Sequence, residues 1–132
     1  MNHSINYWGD PDTTVSFCEK KYIHTFWIAE YYNTVSALPY IIFGTLFLIT
    51  KIKNIGITMI CLGCSTMIMH GTLRYYGQWM DESSMFILSY SAIQLIHKNL
   101  SNKIYPLLII YYYFIKEYFI LFFSTFTSMQ IY

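Results

Sequence analysis

Charge is scarce in this chain of 132 residues. Only 11% are Asp, Glu, Lys or Arg, against about 25% in a soluble globular domain. That deficit argues for a membrane protein before any motif is read. The charges present nearly cancel, to +1, and no basic patch marks a nucleic-acid partner. Cysteine is limited to Cys18, Cys61 and Cys64. Cys61 and Cys64 stand in an apolar run and read as small packing residues. A CxxC zinc or redox site would want more ligands or a soluble fold around it. Residues 1–30 have neither a basic start nor an apolar h-region. No signal peptide is expected, and membrane targeting falls to the first internal helix.

What is abundant is apolar and aromatic: 55% hydrophobic, 20% Phe, Trp and Tyr. Residues 1–30 form a segment with four acids and two lysines, turned at Gly9 and Pro11. Within it, Cys18 to Ala29 suits a short surface helix, with Tyr22, Phe26 and Trp27 as interfacial aromatics. From 31 to 132 the pattern is transmembrane. Uncharged stretches at 31–50 and 54–73 are each long enough to span a hydrocarbon core. Pro39 is expected as a kink in the first. A third helix is expected over 81–97, with Asp81 and Glu82 in its first turn, where the helix dipole favours acids. A fourth is expected near 104–125, although Lys116 and Glu117 interrupt it. The fold class is therefore all-α integral membrane, with three to four spans. Lysines cluster in loops 51–54 and 97–103. The positive-inside rule puts those loops in the cytosol and the N-terminus on the luminal or outer side.

One stretch resists a purely structural account. MIMHGTLRYYGQWMDES, Met67–Ser83, carries His70 at membrane depth and two acids eleven and twelve residues later. Ionisable groups there are expensive and usually functional. His70 is a metal ligand, a proton carrier or a residue snorkelling to the interface. Asp81 is a helix N-terminal acid or a general acid/base. With this topology both lie at the luminal end of neighbouring helices. An imidazole to bind metal beside a carboxylate to take a proton from water is what a zinc hydrolase needs. One histidine does not hold zinc, and His3, His24 and His97 are poorly placed to help. Thr66, at i−4 from His70, shares its face. Its hydroxyl, with that of Ser65, either serves an oxyanion or bonds its own backbone. Glu19 and Glu30 are two solvated acids or ligands for a hard cation such as calcium.

Longer strings give a sharper reading. YWGDPDTTVSFCEKKYIHTFWIAEYYNTVS, Tyr7–Ser36, resembles the opening of the alkaline ceramidases, roughly YWG-P-TS-DWCE-NY followed by IAEFWNT-SN. MHGTLRYYGQWMDE resembles their FHMTLKYEMQLLDE, with the same step from histidine to aspartate. The likeness runs from Tyr7 to about His97. It implies a seven-helix membrane amidase of the endoplasmic reticulum or Golgi, of which this chain would be the first half. Such an enzyme hydrolyses ceramide to sphingosine and a fatty acid, with a zinc inside the bundle and a calcium on the N-terminal segment. By that resemblance His70 is a zinc ligand and Asp81 works on the zinc-bound water. Thr66 stands where the family has serine, with Ser65 beside it. Glu19 and Glu30 match calcium ligands, and Phe17 and Lys21 match positions that are Trp and Asn in the family. Ser16 replaces a calcium-binding Asp, which weakens that site. The family's two other zinc histidines form an HxxxH pair, and no HxxxH occurs here. Two readings stay open. One is a ceramidase-like hydrolase present as a fragment, its missing helices or another chain completing the zinc site. The other is a non-catalytic membrane protein that binds lipid or a partner chain.

Overall fold

The structure is a computed structural model, and it describes residues 6–96. They form four helices: α1 (Tyr31–Ser36), α2 (Leu38–Leu48), α3 (Lys53–Thr72) and α4 (Tyr75–Ile96). No strand occurs among the described residues. The expected fourth span, 104–125, lies outside them, as do His3 and His97.

The expected span 31–50 is broken in two at Ala37, between α1 and α2. Pro39 explains the break. It has no N–H to return to Val35, and its ring crowds the preceding turn. The amide of Ala37 turns back to Thr34 O at 3.3 Å, closing α1 as α2 begins. α3 matches its expected span to within a residue. At about 1.5 Å per residue its 20 residues reach about 30 Å, and among the described residues it is the one helix long and apolar enough to cross a membrane.

Two expectations are corrected. Residues 18–29 are turns and bends rather than a surface helix. Tyr22 sits at φ 58°, in the left-handed region, which a helix does not admit. Its amide bonds Ala29 O at 2.8 Å and closes the segment into a loop. The third helix begins at Tyr75, so Asp81 and Glu82 lie in its second turn. Asp12 accounts for the early start: its carboxylate accepts the Tyr75 amide, capping α4 from the N-terminal segment. Gly77, between the expected second and third helices, falls inside α4 and is a packing point. A Cβ there would fall 2.9 Å from Met69 Cα of α3.

α2 and α3 approach most closely at Gly44 and Gly56. A Cβ on Gly56 would lie 2.6 Å from Gly44 O, and one on Gly44 2.8 Å from Gly56 O. Backbone cannot swing aside as a side chain can, so the helices would have to separate. Gly56→Leu is expected to cost about 1–3 kcal/mol and to lower the thermal midpoint in detergent; an unchanged midpoint would refute this crossing.

The interior is unusual. Buried apolar side chains are few: Ala29, Ala37, Leu62, Met69, Leu73 and Phe86. Buried polar ones outnumber them and include Glu30, Ser65, His70, Gln78, Asp81 and Glu82. The outer surface carries Ile42, Phe43, Leu46, Ile49 and Ile57, all at least half exposed. Cys61 and Cys64 also face outward. Their packing role is corrected, because spacing i, i+3 puts both on one face of α3 and that face is the outer one.

Candidate functional site

The polar interior collects where the N-terminal segment crosses the α3–α4 corner. The last carbonyls of α3 have no partner within their own helix. Residues from the N-terminal segment supply one. Ala29 N bonds Gly71 O at 2.9 Å, Glu30 N bonds His70 O at 3.0 Å and Asp12 N bonds Leu73 O at 3.2 Å. Leu73 itself turns the corner at φ 53°, ψ 34°, a strained conformation for a branched residue, and its burial to 1% exposure holds it there. Arg74 fastens the segment further, reaching Asp10 O at 3.0 Å and Asp12 Oδ2 at 3.4 Å. Arg74→Ala should therefore loosen residues 6–17 more than the helices. Faster protease cleavage confined to that segment is the expected readout, and an unchanged digestion pattern would refute the tie.

This docking sets Glu30 against His70. Glu30 is fully buried, and its Oε2 lies 2.7 Å from His70 Nδ1. The same oxygen accepts Asn33 Nδ2 at 2.9 Å. Glu30 Oε1 is buried with no hydrogen-bond partner. The ring of Phe17 meets that of His70 edge-on, centroids 4.7 Å apart. With Nδ1–H given to a carboxylate, the tautomer is fixed and Nε2 keeps its lone pair for another group.

On the other side of the same face lie Thr66 and Asp81. The Thr66 hydroxyl contacts Asp81 Oδ1, and it lies 2.9 Å from Leu62 O of its own helix. One proton serves both acceptors, so the two alternatives for this hydroxyl meet in one atom. Ser65 Oγ bonds Leu62 O at 2.9 Å and Ser84 Oγ at 3.1 Å, and it also lies beside the Asp81 carboxylate. Thr66 and Asp81 are thus brought together across α3 and α4, with His70 one turn from Thr66 on the same face of α3.

The expected calcium residues divide. Glu19 accepts the amides of Tyr32 and Asn33, at 2.7 and 2.9 Å, one on each oxygen. It closes the start of α1, where negative charge is favoured. Through Asn33 it adjoins Glu30. Ser16 and Lys21 are exposed on the loop, and Phe17 is half-buried beside His70. Among the described residues no group of three His, Cys, Asp or Glu side chains is placed to hold a metal ion.

Sequence reasoning missed Gln78. It is 1% exposed, takes the Thr14 amide on Oε1 at 2.8 Å and donates to Glu82 Oε1 at 2.8 Å. The spacing of Gln78 and Glu82, four apart on one helix, was the available signal. Together they tie the N-terminal segment to α4 one turn from Asp81.

Comparison with known proteins falls on one family. The Ceramidase family profile matches residues 9–132. An alkaline ceramidase of Arabidopsis thaliana is 30% identical over 88 residues, 61% of this chain and 34% of its own. Alkaline ceramidase 3 of Mus musculus is 32% identical, over 60% of this chain and 33% of its own. Alkaline ceramidase 1 of Homo sapiens is 30% identical, over 56% and 32%. The chain spans about a quarter to a half of the length of the curated relatives it matches. No solved structure matches it.

Proposed function

The chain belongs to the ceramidase family, and on that premise we propose that its residues form one wall of a zinc-dependent site that hydrolyses the amide bond of ceramide, giving sphingosine and a fatty acid. The observation that carries this reading is the convergence of buried Glu30, His70 and Asp81 with half-buried Thr66. Paired ionisable groups inside an apolar shell are costly and imply a task.

His70 fits a zinc ligand by its donor chemistry. Glu30 takes Nδ1–H, which leaves Nε2 basic and oriented, the arrangement found behind metal-bound histidines. It would be one ligand; the others must come from outside the described residues or from a partner chain. Bound zinc would supply Lewis acidity and an acidified water. Asp81 accepts the proton of the attacking water and passes it to the leaving amine. The Thr66 hydroxyl holds the Asp81 carboxylate in place. Ser65, turned to Ser84, supports the α3–α4 contact unless substrate draws it away to the oxyanion.

We further propose that the N-terminal segment binds calcium through Glu19 and the free Oε1 of Glu30, with Phe17, Lys21 and Ser16 nearby on the chain. A buried carboxylate oxygen with no partner is costly, and a hard cation satisfies it. Calcium should raise the thermal midpoint of the wild type, and Glu19→Gln should abolish that rise. An equal rise in the variant would refute the site.

The inverted interior and the apolar outer surface support placement in a bilayer, where lipid covers the exposed isoleucines and phenylalanines. In that setting α1 and α2 together, α3 and α4 are the first spans of a seven-helix bundle, with the Glu30–His70–Asp81 end luminal, in the endoplasmic reticulum or Golgi. The deciding experiment measures zinc content and ceramide turnover in the purified protein, wild type and His70→Ala. Zinc and turnover lost together support the proposal. Full turnover in the variant would refute it, and a wild type with neither zinc nor turnover favours a lipid- or partner-binding role.

A further inference from the structure

At the opposite end of the α3–α4 pair from His70, the two helices leave a gap. A cavity of about 250 Å³ opens between the turn before α3, the first residues of α3 and the last turns of α4. Its polar lining is Lys51, Lys53 and Asn54 on one side and Ser91 and Gln94 on the other. Among the described residues no carboxylate lines it. The acid nearest along α4 is Glu82, nine residues before Ser91, about 13 Å along the axis. Among the described residues neither lysine forms an ion pair. α3 also starts here without a side-chain cap, so its dipole adds to the same positive potential. The Ser91 hydroxyl proton is committed to Ile87 O at 2.9 Å. The Gln94 amide donates to the Tyr90 hydroxyl, so the donor-bearing residues left for a ligand are Lys51, Lys53 and Asn54.

The ligand must therefore be anionic and an acceptor of hydrogen bonds. The cavity is smaller than the ~300–1,000 Å³ of sites for drug-sized molecules, which suits a phosphate ester. Its remaining lining is apolar: Ile52, Ile55 and Leu95, the last 51% exposed. A free anion gains nothing from those side chains, whereas an amphiphile does. α3 separates this end from the His70 end by about the thickness of a hydrocarbon core. The cavity then sits at headgroup depth on the lysine-bearing face. Anionic lipids are concentrated on the cytosolic leaflet, and basic pockets between spanning helices recognise their headgroups.

We propose that this cavity binds the phosphate headgroup of an anionic phospholipid, gripped by Lys51, Lys53 and Asn54, with the acyl chains leaving across Leu95. The inference rests on the bilayer placement above but not on the hydrolase chemistry at the other end. The test places the purified chain in phosphatidylcholine nanodiscs, titrates phosphatidic acid, and reads retained lipid by native mass spectrometry, with inorganic phosphate as competitor. Selective retention of phosphatidic acid is expected. Lys51→Gln with Lys53→Gln should weaken it roughly thirtyfold, while the double arginine variant should keep it. Asn54→Asp, which adds a negative charge and removes neither lysine, should also weaken it. Equal retention by the double glutamine variant would overturn the proposal. So would competition by inorganic phosphate as effective as the lipid's own binding, which would mark a free-anion site. Failure of the wild type to enter nanodiscs would overturn the bilayer placement, and this inference with it. Entry without selectivity would overturn the headgroup site alone.

Discussion

Asp81→Asn is expected to lower ceramide turnover by about 10²–10⁴ while leaving the fold intact. The asparagine side chain has nearly the same shape, and its carbonyl oxygen still accepts the Thr66 hydroxyl. Packing in this 9%-exposed position is therefore preserved. What disappears is the capacity to take a proton from water. The loss should fall on kcat and leave KM nearly unchanged, because Asp81 is proposed to act on the attacking water rather than on bound substrate. Thr66→Val is the companion variant. It removes the hydroxyl that holds the carboxylate but keeps the carboxylate itself, so its effect should be smaller. The pair is measured as initial rates on a ceramide in mixed micelles, with the protein assembled together with its other zinc ligands. A kcat for Asp81→Asn within a few-fold of wild type would remove Asp81 from the chemistry. A Thr66→Val loss exceeding that of Asp81→Asn would mean that the hydroxyl acts on substrate directly.

Residues carried by local rules were legible before the fold was known. Helix α3 follows from twenty uncharged residues, and the placing of His70 and Asp81 at the same end of neighbouring helices follows from the short connection between α3 and α4. The resemblance to alkaline ceramidases rested on ordered strings in the N-terminal 97 residues, and the family match covers residues 9–132. What escaped depends on contacts remote in sequence. Asp12 starts α4 from 63 residues away, so no local signal at Tyr75 announces that helix. Tyr22 sits in the left-handed region because Ala29 receives its amide, and composition alone favoured a surface helix. Gly77 falls between the two expected helices, and its role shows only when Met69 lies against it. Pro39 was recognised as a perturbation, but whether it kinks or breaks depends on Thr34 accepting the Ala37 amide. Glu30 is the case with most consequence. Sequence reasoning grouped it with Glu19, as two solvated acids or two calcium ligands. The fold places it forty residues away in sequence, against His70.

Removing that carboxylate is expected to be the most damaging change outside the reacting groups. In Glu30→Ala the His70 Nδ1–H is left buried with nothing to accept it, and Asn33 loses its partner as well. An unsatisfied buried donor costs about 1–3 kcal/mol, so the variant should unfold at lower temperature. Glu30→Gln separates that structural cost from function. Its amide oxygen still accepts from Nδ1 and fills the same space, so stability should be nearly retained. The negative charge that makes the imidazole a stronger ligand is gone. Loss of such a supporting group typically lowers metal affinity about 10–100-fold. The expected result is therefore a folded protein with weakened zinc binding, read by competition with a chelator, and independent of any assay of turnover. If Glu30 instead serves only the calcium site, Glu30→Gln would bind zinc like wild type and lose only its response to calcium. The geometry assigns its two oxygens differently. Oε2 is turned to His70 and Asn33, while Oε1 is free of protein partners. One carboxylate then touches both ion sites, so zinc affinity and calcium stabilisation should fall together in Glu30→Gln, whereas Glu19→Gln should abolish the calcium response alone.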